Sequence, residues 1–251
     1  MNDAIAPGPL EIRRRLVAND VSGLTNEERE IAITSWDAAL QAARFAGRAL
    51  PILDRMRAQQ AALLVVDMQQ AFLSPGAAIE VPAGREIIPN INRLAAAVRA
   101  GGGLIVFFRY NAAANVGLLS HFERLSYLGP ERESPLNALR PSHEQFELHP
   151  ELVVMKTDTV LDKNRYAAPL GSSIMKLLEV RGIQQCLVTG VTTDVCVGNT
   201  AEVLMQLDMR TVVLWDGCAA LNRLVHELYL GRIFGLYADV MLTDEATARL
   251  T

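Results

Sequence analysis

Histidine, cysteine and aromatic residues are all scarce in this sequence. Only four histidines and three cysteines are spread over 251 residues. No two cysteines stand as Cys-x-x-Cys, so a zinc site of mixed Cys and His ligands is not expected. A sparse, odd set of thiols argues against a disulfide framework and for a reducing, cytoplasmic setting. Aromatics make up 6% of the chain, so the core must be mainly aliphatic. There is no block of like charge, and the formal net charge is −4. That excludes the basic face a nucleic-acid partner needs and the basic run of a membrane-surface helix. The longest apolar runs, such as AALLVV and GLIVFF, fall well short of the roughly 18 residues of a membrane span. The first residues, MNDAIAPGPL, lack the basic stretch and apolar segment of a secretory signal. The expectation is a cytoplasmic protein with neither nucleic acid nor membrane as partner.

What the chain has in quantity is aliphatic residue: half of it is hydrophobic, enough for one buried core plus an appendage. Residues 1–58 read as that appendage, a helical arm. Thr25 and Glu28 form a capping-box pattern, and Ala32, Trp36, Ala39, Leu40 and Ala43 recur at helical spacing. The stripe is too narrow for an independent core. The arm should therefore pack on the body or on a second subunit, in a homo-oligomer such as a dimer or tetramer.

Residues 59–251 read as one domain. Strands are expected at 62–67, 103–109, 157–163, 184–190, 209–216 and 238–244. Helices are expected near 86–100, 172–181, from 194, and at 222–234. Alternation of this kind predicts an α/β fold, a three-layer α/β/α sandwich around a mostly parallel six-stranded sheet. Sites in such sheets gather at the carboxyl ends of the strands. The segment 110–150 breaks the rhythm and is too long for a plain connection, so a lid or an intersubunit loop is expected there.

Three chemically capable residues fall at strand ends: Asp67 after ALLVV, Lys163 closing TDTVLDK, and Cys196 after LVTGVTTDV. Alone, each has an ordinary reading as a turn former, a solvated cation and a small core residue. On one edge of one sheet they make a proton carrier, a cation and a nucleophile. Cys196 would lie in the first turn of a helix, where free N–H groups and the helix dipole lower a thiol's pKa. Cys186 lies inside a strand and should be inert, whereas Cys218, at the end of the fifth strand, is a second candidate. Lys156 competes with Lys163 but precedes its strand, at the wrong edge of the sheet.

The segments LLVVDMQQAF, VLDKNRYAA and LVTGVTTDVCVGNT resemble those of the isochorismatase-like cysteine hydrolases. That group includes biuret hydrolase, N-carbamoylsarcosine amidohydrolase, ureidoacrylate amidohydrolase and nicotinamidase. The likeness runs from residue 61 to about 244. It implies a catalytic triad of Asp67, Lys163 and Cys196, and hydrolysis of a small carboxamide or ureide through a thioester or thiocarbamate, with release of ammonia or an amine. It also implies a cis peptide at Val191–Thr192, with the backbone N–H groups of Thr192 and Cys196 as the oxyanion hole. Phe72 matches an aromatic that lines the substrate cavity in the family, against a plain core reading; Asn111 and Tyr166 are further cavity candidates. Nicotinamidases carry an Asp-x-His metal motif that this chain lacks, so no metal and no other cofactor is expected. Leu230 stands where biuret hydrolases have glutamine, which implies a less polar substrate end. The competing reading is a non-hydrolytic binding protein, or one whose thiol senses oxidants.

Overall fold

The computed structural model describes Thr25, residues 56–114 and residues 135–251. The chain divides into two compact units, Met1–Leu50 and Pro51–Thr251, and the second carries everything described below. The expected arm over 1–58 lies outside the described residues, apart from Thr25 and its last three residues. Met56 and Ala58 hydrogen-bond to the end of the chain, from Met56 N to Arg249 O (2.9 Å) and from Ala58 N to Thr251 O (3.0 Å).

Six apolar runs become six strands: β1 Ala61–Val66, β2 Leu104–Tyr110, β3 Thr159–Lys163, β4 Gln185–Val191, β5 Arg210–Ala219 and β6 Asp239–Met241. All neighbouring pairs are parallel, in the order β3-β2-β1-β4-β5-β6. Strand residues alternate between faces. Both faces are covered here, which is why the central runs are apolar at every position. Leu63, Val65, Ile105 and Phe107 meet one layer, together with Ile91, Leu94 and Val98 of helix α1 (Ile88–Ala100). Leu64, Val66, Val106 and Phe108 meet the other. That layer holds α2 (Ile174–Val180), α3 (Gly198–Gln206) and α4 (Arg223–Leu236). Truncating a fully buried residue such as Leu64 to alanine should cost about 2–5 kcal/mol. Among the described residues no helix is long and apolar enough to cross a membrane.

Two departures from the sequence pattern have physical causes. The last strand is short, and Thr243–Arg249 forms a helix, α5, where the apolar pattern predicts strand to residue 244. Asp216, far away on β5, accepts hydrogen bonds from Thr243 N (2.7 Å) and Thr243 Oγ1 (2.8 Å). The local part of this start is Glu245, whose Oε2 accepts from Leu242 N (2.8 Å); the part played by Asp216 leaves no local signature. Likewise β5 continues through Asp216 and Gly217 to Ala219, past the expected stop at 216, because its register against β4 shifts between Val188 and Gly190.

The order of strands reverses at β1, which lies between β2 and β4. The chain leaves β1 toward one side of the sheet and β4 toward the other, so a crevice opens at their carboxyl ends. Gly190 keeps these two strands close: its φ is +111°, and a Cβ there would run into the Val66 carbonyl oxygen.

Candidate active site

Asp67 follows β1 with φ +53°, a left-handed conformation that aspartate tolerates better than most residues. Its N–H donates to Phe108 O on β2 (3.1 Å). Lys163 is the last residue of β3, opposite Tyr110 in register. Its ammonium lies 4.7 Å from the centre of the Tyr110 ring and 2.8 Å from Asp67 Oδ2, with both side chains fully buried. Lys163 Nζ also donates to Arg165 O (3.0 Å) and Tyr166 O (3.2 Å). Lys156 is exposed, before β3. The structure thus brings Lys163, and not Lys156, to Asp67.

Cys196 lies in a wide π-type turn, Thr193–Val197, that leads into α3. The Val191–Thr192 peptide entering this turn is cis. The thiol lies close enough to this pair for the charges of both Asp67 and Lys163 to act on it. Asp67, Lys163 and Cys196 therefore form one cluster, buried beside the β1/β4 crevice. Beyond the Lys163 ammonium, neither Asp67 oxygen has a hydrogen-bond partner among the described residues.

The electrostatics correct one expectation. Cys196 does lie in the first, π-type turn of the helical stretch that continues as α3, but its thiol is not tuned downward. Burial pushes the thiol up strongly; the Lys163 ammonium opposes this and the Asp67 carboxylate adds to it. Cys196 therefore rests as a thiol. Burial also raises Asp67 above its ordinary value, more than the Lys163 ammonium and the Cys196 thiol lower it. For Lys163, burial works against the charge, but Asp67 and Cys196 more than offset it, so its pKa lies above the ordinary lysine value. A cation, a base strengthened by burial and a protonated thiol share a water-poor site.

The other two thiols are placed differently. Cys186 is buried inside β4 and its pKa is pushed up to about 12 by burial. Cys218, also raised by burial, is within β5 and donates to Val188 O at 3.6 Å. Neither borders the cavity at the crevice.

That cavity has a volume of about 460 Å³ and is bordered by Cys196, Thr192, Phe72 and Tyr166. The Tyr166 ring packs on Tyr110 with centroids 6.1 Å apart. Asn111 does not border it. The Asn111 side chain donates to Asp162 Oδ2 (3.1 Å) and accepts from Ala113 N (3.1 Å), while its N–H holds Lys163 O (2.8 Å). Leu230 is a residue of α4 whose side chain is fully buried in the core, and it does not border the cavity.

Two supports escaped the sequence reading. Gln69 is fully buried and joins three segments: its Nε2 donates to Phe146 O (2.8 Å) and Tyr110 O (3.3 Å), and its Oε1 accepts from Tyr110 N (2.7 Å). It ties the described part of the 110–150 segment to the ends of β1 and β2. The second support lies under the cysteine turn, where Thr193 Oγ1 and His226 Nδ1 are 2.7 Å apart and buried. Burial and the nearby Arg223 lower the His226 pKa to about 4. A buried glutamine in LLVVDMQQAF gives no hint of its partners. The two histidine-turn residues are 33 positions apart, and only the fold joins them.

Comparison with known proteins gives a consistent picture. The sequence profile of the isochorismatase domain matches residues 61–245. The ureidoacrylate amidohydrolase RutB of Klebsiella pneumoniae is 34% identical over 172 residues, covering 63% of this chain and 72% of that protein. A cysteine hydrolase structure from Pseudomonas syringae superposes with a TM-score of 0.70 at 22% identity, covering 77% of this chain and 93% of that one. The N-carbamoylsarcosine amidase of Thermoplasma acidophilum superposes with a TM-score of 0.60 at 22% identity, covering 74% and 97%. At these identities the two structures speak to the fold.

Proposed function

The chain belongs to the isochorismatase family, and we propose that it is a cysteine-dependent amidohydrolase acting on a non-peptide C–N bond of a carboxamide or ureide. The observation that carries this is the buried cluster in which Lys163 lies 2.8 Å from Asp67, beside the buried Cys196 thiol on which the charges of both act. The similarity to a ureidoacrylate amidohydrolase supports the class of bond.

In this reading Asp67 takes the thiol proton as the Cys196 sulfur attacks the carbonyl carbon. Proton transfer and attack belong together, since the thiol rests protonated. A base raised by burial is better matched to a raised thiol than an ordinary carboxylate. The N–H groups of Thr192 and Cys196 hold the oxyanion. As the tetrahedral adduct collapses, the C–N bond breaks and the Asp67 carboxyl returns the proton to the departing nitrogen. Water, deprotonated by Asp67, then attacks the thioester or thiocarbamate, and the thiol leaves with that proton. Lys163 stays charged throughout, keeping Asp67 ionised between steps and stabilising the sulfur as it gains charge.

A redox-sensing role would require an accessible, low-pKa thiol; Cys196 is 6% exposed and its pKa is raised. The proposal is tested by ammonia release from a panel of carboxamides and ureides. Turnover of at least one class supports it, and silence across the panel from folded protein counts against it.

A further inference from the structure

The walls of the cavity bear on the substrate. Phe72, Ile79, Val81, Leu136, Leu139 and Val195 border it; they come from the segment after β1, from the described part of 110–150 and from the cysteine turn. Tyr110 and Tyr166 add two packed rings. Among the described residues no lysine, arginine or histidine borders the cavity. Lys163 lies beneath it, and its ammonium is already engaged by Asp67, Arg165 O and Tyr166 O.

The charged group in the wall is Glu80. It is fixed there: its Oε2 accepts from Gly76 N (2.8 Å) and its Oε1 from Arg85 Nη1 (2.7 Å). Arg85 is thereby committed, and it donates to Leu73 O as well. Against the described walls a ligand carboxylate would meet apolar carbon and a carboxylate, and would lose its water without gaining a cation from them. Burying an unpaired charge is unfavourable by far more than burying a polar group. The volume, about 460 Å³, is in the roughly 300–1,000 Å³ range of sites for drug-sized ligands and exceeds what a ureide of a few atoms fills.

We propose that the substrate is a carboxamide with an uncharged, aliphatic or aromatic acyl group, its tail held by these apolar walls. This rests on the amidohydrolase reading above. It separates the chain from its relative, whose ureidoacrylate substrate carries a carboxylate by name.

The test uses two probes of similar length, hexanamide and 5-carboxypentanamide, with two readouts. The first is kcat/KM for ammonia release by the wild-type chain. The second is calorimetric binding to the full-length Cys196→Ala variant, which does not depend on turnover. The neutral amide is expected to be favoured more than tenfold in both, and kcat/KM should rise by up to about fourfold per methylene along the series from butanamide to hexanamide. Leu221, on the cavity border and 68% exposed, can change without disturbing the core. Leu221→Arg should narrow the preference by about fivefold. Neutral-selective binding without any ammonia release would keep the inference and remove the amidohydrolase reading. Equal or tighter binding of the carboxylate probe, or binding of neither, overturns the inference.

Discussion

Lys163 lies 2.8 Å from Asp67 although the strands they end, β3 and β1, are separated by β2. Two strand spacings are about 10 Å. Only a long, thin side chain covers that distance, passing beside the Tyr110 ring of the intervening strand. The cation is thus supplied from the sheet edge, while the acid and the thiol come from either side of the crevice between β1 and β4.

Lys163→Ala should lower turnover by about 10²–10⁴-fold, because Asp67 would lose the cation that opposes its raised pKa and would be protonated more readily. Lys163→Arg should fail similarly, since a planar guanidinium does not fit the place of a point charge on a narrow stem. Lys156→Ala should stay near wild type. Removing one member of a buried pair costs about 3–5 kcal/mol, so each variant is measured at a temperature where circular dichroism shows it folded. An active Lys163→Ala beside a dead Lys156→Ala would contradict the geometry.

The pH profile follows from Asp67 and Lys163. Asp67 is raised by burial, so kcat/KM should decline on the acid side at a pH above the ordinary carboxylate value of 3.8. Lys163, raised above 10.5 by Asp67 and Cys196, should cause no loss up to pH 9. Alkylation by iodoacetamide at pH 7 should be slow, because Cys196 rests as a thiol. An acid limb at or below 3.8, or rapid alkylation at pH 7, would contradict this.

His226 makes stability depend on pH. Its pKa is about 4 in the folded chain and about 6.5 when unfolded. Between those values the unfolded chain holds more protons, so stability falls as pH drops from 6.5 toward 4, by at most about 3 kcal/mol. His226→Gln should flatten that slope. Urea midpoints at pH 7 and pH 5 for both proteins measure it; equal slopes would refute the assignment.

Activity should survive exhaustive chelation. The ground is the missing Asp-x-His in the sequence. Loss of turnover in chelator, with recovery on adding zinc or iron, would contradict it.

Most of the sheet was legible because its strands are buried on both faces and read as unbroken apolar runs. The residues of the cluster were legible because parallel strands must point their ends at one crevice. Legibility stopped where the determinant is distant in sequence. The α5 start uses Asp216 besides its own Glu245, the cysteine turn rests on His226, and the cavity wall is assembled from segments far apart in sequence. Asn111 misled because its strand-end position is right while its side chain is taken by Asp162. The thiol's pKa misled because a helix start was visible in the sequence and the depth of burial was not.

The most direct test of the central claim is steady-state turnover of Cys196→Ala and Cys196→Ser on an amide that the wild-type chain hydrolyses, with folding verified by circular dichroism. The account predicts a loss of at least about 10³-fold in both, with binding of the amide retained. Wild-type turnover in folded Cys196→Ala would contradict it.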